Sequence, residues 1–322
     1  MQSFYLGASL AIFSVNAASA ATCDEFTKMT ATAAAAMSTE VATPNRSDRK
    51  NAYADYVGLF DKKARVHGLV PNKAAGIADV KEHYRAVFFD LGGGVLVEDS
   101  RVVAGEMTAH RYHSMTMLNG VFDGVEAKDK PVILRGQTFF RFNEDGRIIE
   151  RWSNHDHAYR MGQLLGDKGR EEGAELAAVL NSPGLTEQQG YEFVDRFVSA
   201  FSMAEAPQAR GAAMSELLND DLVLHGLGCA PVGKDAMLAH LQELWSSAPD
   251  LFMTLADPPM SGWSMVAFKW RSKGSLRAPH AGLAAEPGAT VSWNGELIAR
   301  LNDKGKAVVI WFNDGVLKEA ME

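Results

Sequence analysis

The feature that most constrains this chain is that it repeats itself at about half its length. His67-Gly68-Leu69 returns as His225-Gly226-Leu227, and Asp90-Leu91 returns as Asp250-Leu251. Gly136 returns as Gly295, Phe142-Asn143-Glu144-Asp145-Gly146 as Leu301-Asn302-Asp303-Lys304-Gly305, and Trp152-Ser153-Asn154 as Trp311-Phe312-Asn313. The offset stays between 158 and 160 residues, in one order, which chance explains poorly and duplication explains directly. The chain therefore reads as two copies of one domain, at 44–167 and 186–318. A linker at 168–185 joins them and carries a helical stretch from Glu171 to Leu180. A length of 322 residues suits two domains, each long enough to bury its own core.

Each copy runs helices first and strands after. Val80, Tyr84, Val87 and Phe88 fall on one helical stripe, as do Met237, Leu241, Leu244 and Trp245 in the second copy. The second copy opens with another helix, whose Tyr191, Val194, Phe197, Val198 and Phe201 share a face. Strands are expected at Gly94–Val103, Met107–Met117, Pro131–Phe142 and Arg147–Asn154, the last two joined by the turn Asn143-Glu144-Asp145-Gly146. Helices followed by an antiparallel meander give an α+β fold rather than a βαβ one. Such a sheet can curl around its helices and leave an apolar pocket at one mouth.

Composition excludes several classes. The net charge of −8, with no Lys/Arg cluster, argues against a nucleic-acid partner. Two cysteines, Cys23 and Cys229, are too few for a disulfide framework or a thiolate zinc site, and read as free thiols or a single pair. Residues 4–15 (FYLGASLAIFSV), followed by Ala18-Ser19-Ala20, have the shape of a secretory signal, although no Lys or Arg precedes Lys28. Residues 1–43 are accordingly expected to be a signal-like, disordered or helical leader. The location would then be periplasmic or secreted, or cytoplasmic if translation begins at Met29 or Met37. No stretch is long enough for a membrane span. Gly-x-Ser-x-Gly, His-Glu-x-x-His and phosphate-loop motifs are absent, and Gly92-Gly93-Gly94 reads as a flexible turn.

The residues His67-Gly68-Leu69, Gly76, Arg111-Tyr112, Gly120-Val121-Phe122-Asp123-Gly124, Phe140-Arg141-Phe142, Gly146-Arg147-Ile148, Glu150, Trp152, Asp156 and Gln163-Leu164-Leu165-Gly166 resemble, in this order, the SnoaL-like polyketide cyclase family of the nuclear-transport-factor-2-like superfold. The resemblance covers most of the first copy and is weaker in the second. It implies two tandem cystatin-like α+β barrels, each a curved antiparallel sheet wrapped around helices. It also implies a cofactor-free cyclisation or isomerisation of a small hydrophobic carbonyl compound, in which a pocket carboxylate, mapping onto Asp156, acts as general acid and base. Members of the superfold also include dehydratases, epoxide hydrolases and non-catalytic binders, so a binding protein for a small apolar ligand is the alternative. Single-copy members often pair through their sheets, which a tandem chain could do internally or as a homodimer.

The residues can be read beside that resemblance. On an extended strand Trp152, Asn154 and Asp156 would share a face, although Asp156 could equally cap the helix that follows. Arg111 and His113 share a parity with Ala109, Met115 and Met117, and could polarise a carbonyl if that face met a cavity. Asp156, Arg111 and His113 are thus the catalytic candidates, with His67, Trp152, Asn154 and Met115 as substrate-binding candidates. His67 and Trp152 also recur in the second copy, which suits packing as well as binding. His155 and His157 have a metal-ligand spacing, and His110 or His113 could add a third nitrogen, but nothing else supports a metal. At the matching positions the second copy carries Lys269, Arg271 and Gly315, with Asp314 one residue early, so it is expected to be degenerate.

Overall fold

The computed structural model describes residues 17–70, 73–90, 94–122, 125–180, 184–227, 230–277 and 288–314. The signal-like stretch 4–15, Gly92-Gly93, Asp123-Gly124, Cys229 and Gly315 lie outside them, as does the side chain of Cys23.

The first unit comprises α1 (Ala17–Ala42), α2 (Arg49–Gly58), β1 (Phe60–Val70), β2 (Lys73–Ala75), α3 (Ile77–Arg85), β3 (Gly94–Ala104), β4 (Met107–Phe122), β5 (Val125–Phe142), β6 (Ile148–His155), α4 (His157–Leu165) and α5 (Asp167–Leu180). The second comprises α6 (Glu187–Ser202), α7 (Pro207–Leu217), β7 (Leu218–His225), α8 (Lys234–Ser247), β8 (Phe252–Leu255), β9 (Met260–Gly262), β10 (Met265–Ser275), β11 (Thr290–Leu301) and β12 (Ala307–Asp314). The sheets run β2-β1-β6-β5-β4-β3 and β7-β12-β11-β10-β8, with β9 on β10. Both are mixed rather than purely antiparallel, because β1 lies parallel to β6 and β7 parallel to β12.

The repeat is a repeat of register. His67 pairs with Trp152, and His225 with Trp311. Tyr112 pairs with Gly136, and Trp270 with Gly295. Phe140 pairs with Arg151, and Ala299 with Ile310. The His-Gly-Leu motif recurs for a backbone reason. Gly68 and Gly226 take φ of +81° and +93°, and a Cβ at either would strike the carbonyl of the adjacent strand, at Ser153 or Phe312. The strand-joining turns also match: Asn143 and Asn302 each accept two backbone N–H groups through the side chain, and Gly146 and Gly305 close at φ near +70°.

The two sheets pack on each other. Val102, Ala104, Met107, Ala109 and Phe139 of the first unit form one buried cluster with Met260, Met265, Ala267, Ile298 and Trp311 of the second. Polar contacts frame it: Glu296 accepts the Val103 N–H at 2.8 Å, and Trp311 Nε1 donates to Glu106 at 3.0 Å. The internal pairing through sheets is therefore realised within one chain.

The leader is more than a preface, contrary to expectation. Ala33 and Met37 of α1 are fully buried in the core of the first unit, and Glu40 is nearly so. Burying a Met side chain alone contributes about 1.5–3 kcal/mol. Near the start of the helix Phe26 lies against Gly105 of the first unit and Gly226 of the second. The alanines at 31–36 fit because a helix laid on a packed surface needs small side chains on the facing side.

Candidate active site

A cavity of about 240 Å³ lies in the first unit, between the concave side of its sheet and helices α1 to α5. Strand alternation decides what enters it. From β4 the even positions His110, Tyr112, Ser114 and Thr116 line the cavity, and from β6 the odd positions Arg151, Ser153 and His155 do so. The helices add Glu40, Tyr56, His83, Tyr84, Arg160 and Leu180, with Asp156, His157 and Arg135 among the remaining lining groups.

Arg151 is 6% exposed. It donates to the Tyr84 hydroxyl, and its guanidinium lies 5.5 Å from the ring centres of both Tyr84 and Phe140. Its Nε is buried without a hydrogen-bond partner. Arg160, equally buried, bonds His157 Nδ1, and burial pulls its pKa down to about 10. Glu40 accepts the Tyr56 hydroxyl at 2.6 Å through Oε1, while its buried Oε2 has no hydrogen-bond partner. Burial, reinforced by Glu40, drives the Tyr56 phenol well above its usual range.

The imidazoles answer to this setting. Burial, with the positive charge of Arg151 next, holds His155 well below the usual histidine pKa, and its Nδ1 shares a 2.8 Å hydrogen bond with the Tyr112 hydroxyl. Burial and then Arg151 and Arg160 bring His83 down to about 4. Both rings are neutral at pH 7. His110 is 1% exposed, with Nδ1 3.5 Å from Glu98 and Nε2 lacking a hydrogen-bond partner.

The candidates read from the sequence fall mostly on the opposite face of the same strands. Arg111 reaches into the second unit and donates to the Pro258 carbonyl at 2.8 Å. His113 pairs with Asp99 at 2.8 Å near the surface, and Met115 is 55% exposed. Trp152 stacks on His67 at 5.6 Å and 7°, and Trp311 on His225 at 5.9 Å and 9°, so this pair is a packing element of both copies. His67 Nε2 also meets Glu150 at 3.1 Å. Asn154 donates to Glu187 of α6, across the junction. Arg111, His113, Asn154 and Asp156 nonetheless meet in a second cavity, of about 700 Å³, which Glu187 and Tyr191 of the second unit also line. His67, Trp152 and Met115 line neither this cavity nor the first.

Asp156 is at the first cavity too, as its N-terminal rim on α4. The strand ends at His155, so strand alternation does not carry Asp156 onto the Trp152 face. Its Oδ1 accepts the Tyr159 N–H at 2.9 Å, and its Oδ2 accepts Arg135 Nε at 2.8 Å. It is a helix cap with both oxygens engaged. Rings of His155 and His157 stand perpendicular at 5.8 Å, and the described residues contain no group of three side chains able to hold a metal. No described helix is long and apolar enough to cross a membrane.

In the second unit the register-equivalent positions are apolar. Arg151 becomes Ile310, His110 becomes Phe268, Tyr112 becomes Trp270 and Tyr84 becomes Leu241, all buried. This contrast was readable in the sequence and marks the cavity residues that strand parity alone did not.

Residues 46–164 match the SnoaL-like polyketide cyclase family. No curated protein matches. Among solved structures the chain is similar to a putative polyketide cyclase, IdmH, from Streptomyces antibioticus, at 18% identity over 41% of this chain and 98% of that one, with a TM-score of 0.35. It is similar to a putative SnoaL-like polyketide cyclase from Jannaschia sp. CCS1, at 20% identity over 42% and 90%, TM-score 0.35. A putative hydroxylase, AclR, from Streptomyces galilaeus gives 18% over 40% and 91%, TM-score 0.35.

Proposed function

We propose that the cavity of the first unit, whose residues 46–164 match the SnoaL-like polyketide cyclase family, binds a small, largely apolar carbonyl compound and moves a proton at the carbon beside the carbonyl. The observation that carries this reading is Glu40: a carboxylate 3% exposed, steadied by Tyr56 through one oxygen and presenting the other without a hydrogen-bond partner. That is the arrangement a general base requires.

Glu40 Oε2 takes the proton from carbon. The electron pair moves to the carbonyl oxygen, where the Arg151 guanidinium and the Tyr84 hydroxyl hold the charge in a water-poor setting. The enolate carbon then attacks a second carbonyl of the same molecule, closing a ring, or is protonated elsewhere, giving an isomer. Glu40 then returns its proton to the alkoxide formed on ring closure, through the Tyr112 hydroxyl, or to the other carbon of the enolate, and the carboxylate is restored. Every group named is a side chain of this chain, so no cofactor enters the proposal. The capped, ion-paired Asp156 favours the second reading, a cavity that only binds.

Turnover of hydrophobic β-dicarbonyl and ester substrates, followed by mass spectrometry, tests both. Glu40→Gln is expected to lower kcat by about 10²–10⁴ while binding survives. Asp156→Asn is expected to lower it less than tenfold. Loss of turnover confined to Asp156→Asn would return the base to the rim, and binding without conversion of any substrate would leave a carrier.

A further inference from the structure

Among the described residues that line the cavity, the carboxylates are Glu40 and Asp156. Asp156 is committed to Arg135, and Glu40 to the Tyr56 hydroxyl. Arg151 is nine-tenths buried, and among the described residues it meets neutral groups, the Tyr84 hydroxyl and two aromatic rings, with Nε unbonded. A guanidinium withdrawn from water without a carboxylate is costly, and the fork of N–H donors is shaped for a planar oxyanion. The second unit carries the buried Ile310 at this position.

We infer that the natural ligand is an organic anion before any chemistry begins: an apolar body bearing a carboxylate, whose oxygens dock on Arg151 beside the carbonyl that reacts. This rests on the reading of the cavity as a ligand site, and it narrows the carbonyl compounds above to acidic ones. The low-lying imidazoles agree with it, since the charge of Arg151, which after burial does most to keep a proton off His83 and His155, attracts an anion.

The test is calorimetric titration of the full chain, in phosphate-free buffer at pH 7.5, with 1-naphthoate, its methyl ester and 1-naphthamide. Wild type is expected to bind the acid at least tenfold more tightly than either neutral analogue, and to keep that preference in 0.5 M NaCl, because a buried contact is screened little. Arg151→Ile is expected to erase the preference, with its urea midpoint unchanged or raised, which shows that the fold is intact. Arg151→Lys is expected to retain part of it. Equal binding of acid and amide by wild type overturns the inference without touching the proposed chemistry. So does a preference that survives in Arg151→Ile, or one that vanishes in salt, since either places the attraction at the rim. Failure of the proposed chemistry shows separately, as an absence of turnover that Glu40→Gln does not change.

Discussion

Where the first unit sets Arg151, His110 and Tyr112 on strands and Tyr84 on a helix around a cavity, the second sets Ile310, Phe268 and Trp270 on strands paired in the same register and Leu241 on the matching helix. One backbone plan thus serves a polar cavity lining and, at the matching positions, a buried apolar core. Trp270 shows how the filling works: its indole lies over Gly295, the glycine equivalent to Gly136, where the first unit has the Asn154 carbonyl, the Tyr112 hydroxyl and His155 Nδ1. Buried arginines and neutral imidazoles cost stability, whereas the aromatic core of Phe201, Trp245, Phe268 and Trp270 adds it. The difference teaches a division of labour. The second unit buttresses the first through the shared sheet-to-sheet core, and the first is left free to hold groups a lone small domain would tolerate poorly.

Exchanging the contrasted residues breaks the comparison most directly. Ile310→Arg places an unpartnered cation in a filled core and is expected to cost at least about 3–5 kcal/mol, read as a fall in the urea midpoint. The reciprocal Arg151→Ile is expected to reduce turnover by about 10²-fold or more, with unfolding free energy unchanged or raised by about 1 kcal/mol. A large loss of stability there would mean that Arg151 is structural.

Acid sharpens the comparison next. His83 and His155 have folded pKa values below the unfolded one, so the unfolded chain takes up protons first. Stability is complete above about 6.5 and is lost as pH falls through the window from 6.5 to about 4, the folded value for His83. The expected loss is on the order of 1–3 kcal/mol, and His83→Phe should flatten the lower part of that slope. Hydrogen exchange should show it in amides of β4 and β6 before those of β10 and β12. The smallest effect concerns the histidine–tryptophan stacks. His67→Phe keeps the stack but takes a partner from Glu150 and is expected to cost about 1 kcal/mol. His225→Phe should fall within about 0.5 kcal/mol, since the Trp311 stack is what is seen for His225 among the described residues.

Much of the fold was legible because repeats and turns are local. The strands from Gly94 to His155 lie within a few residues of expectation apart from the β4–β5 hairpin, which extends further, and the Asn143 and Asn302 turns are as their sequences require. The parallel β1–β6 pairing was not legible, since nothing in either strand records its neighbour's direction. The sequence candidates and the residues of the first cavity part at one point of physics. Period-two patterning tells which residues share a face, but both faces of β4 and β6 are covered and both border a cavity, so polarity could not tell the two apart. Choosing the other parity exchanges Arg111, His113, Trp152 and Asn154 for His110, Tyr112, Arg151 and His155. Glu40 was hidden differently, as a single acid behind a run of alanines, recognisable only once α1 is seen to turn it inward.

That helix has a practical consequence. The segment matching the family begins at residue 46, and α1 ends at Ala42. A fragment cut at the recognised boundary would keep every family motif, yet lose Met37, the Phe26 strap across both units, and the carboxylate proposed to do the chemistry. Such a fragment could score as a complete domain by sequence and still be an inert, leaky shell. For this architecture the unit of inheritance and the unit of action do not share an edge.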